Sequence, residues 1–391
     1  MERISDILAN YSASGENTVD KVLGAAAIVV NKDGILYCGA AGRISLDVES
    51  PALTIDSFGW IASMTKLITT TAAMQLVEQG LITLDQDVRS LVPELNTLDI
   101  IRGFDADDKP IVEKNTNSVT LRHLLTHTLG MAYEFPGTPD LMRYNAYIGR
   151  SDHLGNFTKA GFLPALIAAP GEGWAYGAAI DWAGKVIEHV TGLPLDAYFK
   201  QHFFDPLGMS STAFFPEVPA VAAGHQTDLP TRGSDESLIP CPSLQPLTQD
   251  FTSGGAGLAS TASDYAKFLI ALIGGKLVSE QTLAEMFRPQ LNEAQREHLV
   301  KQTNLDRSGF VMGFPEGTPM DHGIGGVMNV EDIPGKRKAG SISWSGATNP
   351  RWWIDRKSGV ACVMFVNQWP WGDHVVADLF NELEKAVYTA L

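Results

Sequence analysis

The sequence predicts an α+β fold in which one antiparallel sheet, flanked by helices, is assembled from the two ends of the chain, with a mostly helical segment inserted between them. Three observations carry this prediction. Strand-type runs with turn signals lie near both termini, the stretch from about Asp87 to about Pro246 has helical texture, and the last segment is an amphipathic helix. The domains that follow are residues 1–86 with 247–391 as a discontinuous α/β unit, and 87–246 as the insertion. A site is expected in the cleft between them.

Taken in order, Ile4 to Leu8 read as a short amphipathic helix. In AAAIVVNKDGILYCGAAGRIS two β-rich runs flank Asn31-Lys32-Asp33-Gly34, a hairpin signal. The stretch WIASMTKLITTTAAMQLVEQG, Trp60 to Gly80, reads as one helix: it is apolar at Met64, Leu67, Ile68, Met74, Leu76 and Val77, lacks proline, and ends on a glycine suited to a helix C-terminus. LITLDQDVRSLVPEL then gives a loop and a short helix. In the insertion, Leu121 to Gly130 and Ala178 to Gly192 are helical stretches between loops rich in Pro and Gly. Thr261 to Leu272 form a helix with a Thr start. SISWSGATNPRWWIDRKSGVACVMFVNQ returns to strands, with a hairpin through Asp355 to Gly359, and DHVVADLFNELEKAVYTAL closes the chain as a helix.

Composition narrows the partners. A formal charge of -16 over 391 residues argues against nucleic acid or an anionic membrane and favours a small or neutral substrate. MERISDILANYSASGEN has no apolar core of signal-peptide length and no run approaches a membrane span, so a cytoplasmic location is expected. Cys38, Cys241 and Cys362 are odd in number and widely spaced, and read as buried small apolar residues in a reducing compartment. His123 and His127 stand four apart on the expected helix, a metal-binding spacing, but without a companion motif they read as core or surface residues, and no metal is expected.

The chemistry is concentrated at Ser63 and Lys66. Residues three apart on a helix share a face. A serine hydroxyl needs a neighbour to take its proton, and a lysine among apolar groups loses its charge more readily. Near a helix start, free backbone N–H groups also stabilise a developing oxyanion. Ser-x-x-Lys alone is a weak signal, expected about once by chance in a chain of this length from average residue usage.

The order Ser63-Met64-Thr65-Lys66, then Tyr176 in PGEGWAYG, then Trp344-Ser345-Gly346 near the end resembles the serine β-lactamase and penicillin-binding protein superfamily. The likeness is greatest to class C β-lactamases, family VIII carboxylesterases and the fungal acyltransferases and esterases of statin side-chain metabolism, and it extends from the first hairpin to the last helix. LRHLLTHTLG, PGEGWAYG, DPLGMSST and WSGATNPRWWIDRKSGV support it. The resemblance implies the β-lactamase/transpeptidase-like fold, with Ser63 as nucleophile, Lys66 and Tyr176 as the base system, and the backbone N–H groups of Ser63 and Ala347 as the oxyanion hole. It also implies substrate contact at Trp344, Ser345, Gly346, Trp174 and Tyr133, and no cofactor.

Two departures bear on the substrate. Where the family commonly has Tyr-x-Asn this chain has Tyr176-Gly177-Ala178, and where Lys-Thr-Gly is common it has Trp344-Ser345-Gly346. A side-chain amide and a cation are thereby lost. One missing charge-assisted hydrogen bond costs about 1.5 to 3 kcal/mol. The expected activity is therefore that of a serine hydrolase or acyltransferase acting through an acyl-enzyme on esters of bulky hydrophobic small molecules, statin- or polyketide-like, with a thioester as acyl donor for transfer. A β-lactamase or D-amino-acid peptidase is the runner-up, and a non-catalytic binding or scaffold protein the alternative of another class. Gly-x-Ser-x-Gly is absent, which argues against an α/β-hydrolase. A monomer or weak homo-oligomer is expected.

Overall fold

Asn31 closes the first hairpin, its side-chain carbonyl accepting the N–H groups of Asp33 and Gly34 at 2.9 Å each. The computed structural model describes residues 2–135, 137–242, 244 and 249–391. Helix α1 (Glu2–Tyr11) precedes the hairpin strands β1 (Gly24–Asn31) and β2 (Gly34–Gly42), and is longer than the sequence pattern indicated. Strand β3 (Gly59–Trp60) leads into α2 (Thr65–Glu78). The insertion holds the hairpin β4 (Asp99–Phe104) and β5 (Pro110–Lys114), then α3 (Leu121–Leu125), α4 (Pro139–Tyr147), α5 (Ala179–Thr191), α6 (Leu195–Phe199) and α7 (Asp205–Leu207). Three short strands follow, β6 (Ala213–Phe214), β7 (Pro230–Arg232) and β8 (Leu238–Pro240). The insertion therefore carries two small hairpins and long loops as well as helices. Its expected end at Pro246 lies outside the described residues.

The remainder runs through β9 (Leu258–Ser260), α8 (Ala262–Ile273), α9 (Glu280–Met286), α10 (Glu293–Thr303) and α11 (Arg307–Phe310). Then come β10 (Met320–Gly323), β11 (Gly326–Asn329), β12 (Ile342–Ser345), β13 (Arg351–Asp355), β14 (Val360–Phe365) and α12 (His374–Ala390). The main sheet has seven antiparallel strands in the order β10-β11-β12-β13-β14-β1-β2. Its closure joins the two ends of the chain, with Ile28 of β1 opposite Val363 of β14.

Burial on both faces explains why β1 reads as a continuous apolar run. Ala25, Ala27 and Val29 pack with Ile4 and Leu8 of α1 and with Val376, Leu379 and Leu383 of α12. Ala26, Ile28 and Val30 turn to the opposite core, which includes Leu67 and Ile68 of α2 and Phe268 and Leu269 of α8. Each such aliphatic side chain contributes about 1.5 to 3 kcal/mol when fully buried. Helix α2 is buried on nearly every face from Thr65 to Met74, so its apolar pattern follows no single stripe. Its buried threonines satisfy their hydroxyls locally, Thr70 and Thr71 both donating to the Leu67 carbonyl. Among the cysteines only Cys362 is buried. Cys38 is exposed on β2 and Cys241 is half-buried, which corrects the expectation for both; all three are free.

Candidate active site

Residues Ala62–Met64 form a 3-10 turn just ahead of α2, with Trp60 in β3. This corrects the expectation of one helix from Trp60 with Ser63 in its first turn. Ala62 has a φ of +42°, a left-handed value costly for a residue with a Cβ, and the surroundings hold it there. Ile61 N–H donates to the Leu258 carbonyl at 3.1 Å. The Thr65 hydroxyl donates to the Ala62 carbonyl at 2.6 Å and accepts the Leu258 N–H at 3.1 Å, while the Tyr265 hydroxyl donates to the Met64 carbonyl at 3.0 Å. Ser63 thus stands on a clamped turn.

Lys66, one turn on, is only 1% exposed. Its Nζ donates to Ser63 Oγ at 3.1 Å, Tyr133 Oη at 3.2 Å and the Gly255 carbonyl at 2.9 Å. Three acceptors satisfy an ammonium, and a neutral amine in the same place turns a lone pair toward the serine. Tyr176 approaches from the loop ahead of α5, its hydroxyl 2.7 Å from Ser63 Oγ. Its backbone is fixed at both ends, the N–H donating to Gln302 Oε1 at 3.1 Å and the carbonyl accepting the Tyr133 N–H at 3.0 Å. Lys66 Nζ also lies 4.9 Å from the centre of the Tyr176 ring. A buried serine oxygen between an amine and a phenol has two groups in hydrogen-bond reach that can take its proton when deprotonated, the arrangement a serine nucleophile needs.

The backbone N–H groups of Ser63 and Ala347 donate to no other described residue. The Ala347 loop is closed by Gly346 N–H to the Pro350 carbonyl at 2.8 Å, and tied to the Ser63 turn by the Thr348 hydroxyl on the Trp60 carbonyl at 2.9 Å. Gly346 must be glycine because a Cβ there would lie 2.4 Å from the Ile61 carbonyl oxygen.

The beta-lactamase family profile matches residues 14–386. The chain belongs to the beta-lactamase family. It is 33% identical over 354 residues to monacolin J acid methylbutanoyltransferase of Aspergillus terreus, covering 87% of this chain and 84% of the relative. It is 31% identical over 382 residues to lovastatin esterase of Penicillium rubens, covering 94% of each. A mutant simvastatin synthase from Aspergillus terreus superposes with a TM-score of 0.89 at 30% identity, covering 99% of this chain and 94% of that one.

Within this beta-lactamase-family site the other expected residues divide. Trp344 is 5% exposed and gives its Nε1–H to Tyr176 Oη at 3.3 Å, so its polar atom faces the Tyr176 hydroxyl. Trp174 stacks on Tyr176 at 6.4 Å between ring centres and is buried. Tyr133 sits edge-on to Tyr176 at 5.1 Å. Burial, followed by the charge of Asp181 and the neighbouring Tyr176, pushes the Tyr133 hydroxyl well above its usual range, so it stays protonated. Ser345 is turned away, its hydroxyl donating to the Gly309 carbonyl at 3.3 Å and accepting from Trp371 at 3.1 Å. A cavity of about 160 Å³ borders Tyr133 and Ala178 and is lined also by Leu154 and Pro164.

His127 was not legible as a site residue. Helix α3 stops at Leu125 and His127 has a φ of +58°, so it does not share a helical face with His123. It lies edge-on to Tyr176 at 4.9 Å, with Nδ1 buried and unpartnered. Burial, then the charges of His322 and Lys66, hold it well below the ordinary histidine range and therefore neutral. His123 instead accepts the Thr120 N–H in the α3 cap at 3.3 Å. Among the described residues the one trio able to gather metal-ligating atoms, Asp20, Glu236 and His374, lies at the surface and includes none of the residues around Ser63.

Proposed function

We propose that the protein is a serine acyl-transfer enzyme that cleaves carboxylic esters of bulky, largely apolar small molecules through an acyl-enzyme on Ser63. The observation that carries this reading is the placement of Ser63 Oγ between Lys66 Nζ at 3.1 Å and Tyr176 Oη at 2.7 Å. The fungal relatives named for statin acyl transfer and ester cleavage support the substrate class. Ser63 Oγ attacks the ester carbonyl while the Lys66–Tyr176 pair takes its proton. The oxyanion is received by the N–H groups of Ser63 and Ala347, and the pair returns the proton to the leaving alcohol. Attack on the acyl-serine by water completes hydrolysis, and attack by a second alcohol completes transfer. An activated ester or a thioester serves equally as acyl donor, because the bond to the leaving group breaks before the acceptor enters.

The test combines p-nitrophenyl butyrate, nitrocefin and a serine-directed phosphonate with intact mass. Ester turnover with one phosphonate adduct on Ser63 is the expected result. Comparable efficiency on nitrocefin would transfer the assignment to β-lactam hydrolysis, and the absence of turnover and adduct would leave a binding protein.

A further inference from the structure

We propose that Asp181 is the counter-charge and positioning residue of Lys66, acting through Gly255. Asp181 lies on α5, five residues beyond Tyr176, and its side chain is completely buried. Its Oδ1 accepts the Ser253 hydroxyl and the Gly255 N–H, the latter at 2.9 Å. The carbonyl of the same Gly255 accepts Lys66 Nζ at 2.9 Å. One residue therefore links the acid to the amine, and it has to be glycine, since a Cβ at 255 would lie 2.3 Å from Asp181 Oδ2.

The loop holding Gly255 also seats the nucleophile. Gly254 accepts the Thr69 hydroxyl at 2.5 Å, Ala256 accepts the Trp60 indole N–H at 2.6 Å, and Leu258 bonds Ile61 and Thr65. Asp181 fixes this loop from beneath. Its second oxygen, Oδ2, is buried and makes no hydrogen bond of ordinary geometry, and the Tyr133 hydroxyl is the polar group that faces the carboxyl. A buried carboxyl group in this state either keeps its proton or is held ionised by a nearby cation. Burial pushes the Asp181 carboxyl above its usual range, and the charge of Lys66 is the largest influence opposing that. The titratable groups around Lys66 are Asp181, Tyr133, Tyr176 and His127, and with His127 neutral and Tyr133 protonated Asp181 is the carboxyl among them that can supply a negative charge.

The consequence concerns the pH at which the base system works. A negative charge beside the Lys66–Tyr176 pair favours its protonated form, whichever of the two residues carries the proton. This inference rests on the role proposed above for Lys66. Asp181→Asn keeps the shape and leaves Oδ1 able to accept both hydrogen bonds while removing the charge. The expected result, on p-nitrophenyl butyrate, is a fall in kcat on the order of tenfold with KM little changed, and an acid limb of kcat/KM displaced by about one unit to lower pH. Loss of activity with an unmoved acid limb, or wild-type kinetics, overturns the proposal.

A second measurement does not depend on turnover. Urea unfolding of the wild type, Asp181→Asn, Lys66→Met and the double variant is expected to show coupling, the Asp181→Asn change costing less stability once Lys66 is replaced. Additive effects overturn the charge pairing, and so does failure of both Asp181→Asn proteins to fold, which would assign Asp181 to the fold alone. An inactive wild type with a coupled cycle would reject the catalytic reading and keep the pairing.

Discussion

Ser63, the two side chains bonded to its oxygen, and Trp344 behind Tyr176 give predictions that separate their roles. Ser63→Ala removes a hydroxyl without opening a large cavity, so the variant is expected to fold with its melting temperature nearly unchanged and to retain less than about a thousandth of ester turnover. Lys66→Ala and Tyr176→Phe are each expected to lower kcat strongly. Because both hydrogen-bond the same serine oxygen, the double variant should lose far less than the product of the two; multiplicative losses would contradict a shared relay. Trp344 tests a finer point. Its Nε1–H donates to Tyr176 Oη, and a neutral hydrogen bond is worth about 0.5 to 1.5 kcal/mol, so Trp344→Phe should reduce kcat about twofold to tenfold at constant KM. A rise in KM with kcat preserved would make the indole a substrate contact. The selectivity double variant, Trp344→Lys with Ala178→Asn, should raise the ratio of kcat/KM for nitrocefin to that for a naphthyl ester, since a common loss through disturbance of Tyr176 cancels in the ratio.

At the scale of elements, the site is a junction of short connections rather than a property of one helix. The Ser63 turn is gripped by Leu258 of β9, by the loop after β12, and by Tyr265 of α8, so its geometry depends on approaches between backbones. Gly346→Ala forces a Cβ against the Ile61 carbonyl and should cost about 1 to 3 kcal/mol, with a phosphonate labelling rate that falls further than Tm; an unchanged labelling rate would show that the β12 loop does not shape the site. This also accounts for what the sequence did and did not disclose. The β1–β2 and β13–β14 hairpins and the helices α5, α8 and α12 were readable, because alternation, caps and apolar spacing are local signals; β4–β5, β7–β8 and β10–β11 were not. The motifs led to Ser63, Lys66 and Tyr176, and the structure brings the latter two onto the serine oxygen. Asp181, Gly255 and His127 were not, since a buried acid on a helix looks like a surface one, a carbonyl acceptor has no sequence signature, and LRHLLTHTLG carries helical spacing past the point where His127 turns left-handed.

For the whole molecule, the two histidines packed behind Tyr176 make stability depend on pH in a direction that can be worked out. His322 is buried, and burial lowers its pKa from 6.5 to about 4, with its Nδ1 against the Gly323 carbonyl. His127, 5.7 Å away between ring centres, is lowered as well. A depressed folded-state pKa means that the unfolded chain takes up a proton first. Stability is therefore complete above about pH 6.5 and is lost as pH falls toward 4, where His322 titrates in the native state. At 1.36 kcal/mol per unit the His322 contribution is about 3 kcal/mol, and His127 adds to it. Carboxylates act in a lower window. Hydrogen bonds from Arg288, followed by Arg122, hold Glu285 at about 2 in spite of partial burial, so its contribution is present above its unfolded value of 4.5 and declines only below it. Urea unfolding at pH 7.5 and pH 5 separates the two, because carboxylates held low in the fold, such as Glu285, lose their contribution chiefly below pH 5. Replacing His322 with Gln should lower stability at pH 7.5 and flatten the dependence between pH 7.5 and 5. A variant with the wild-type slope would place the acid sensitivity elsewhere, and a wild type equally stable at both pH values would mean that the histidines behind Tyr176 are not held neutral by the fold.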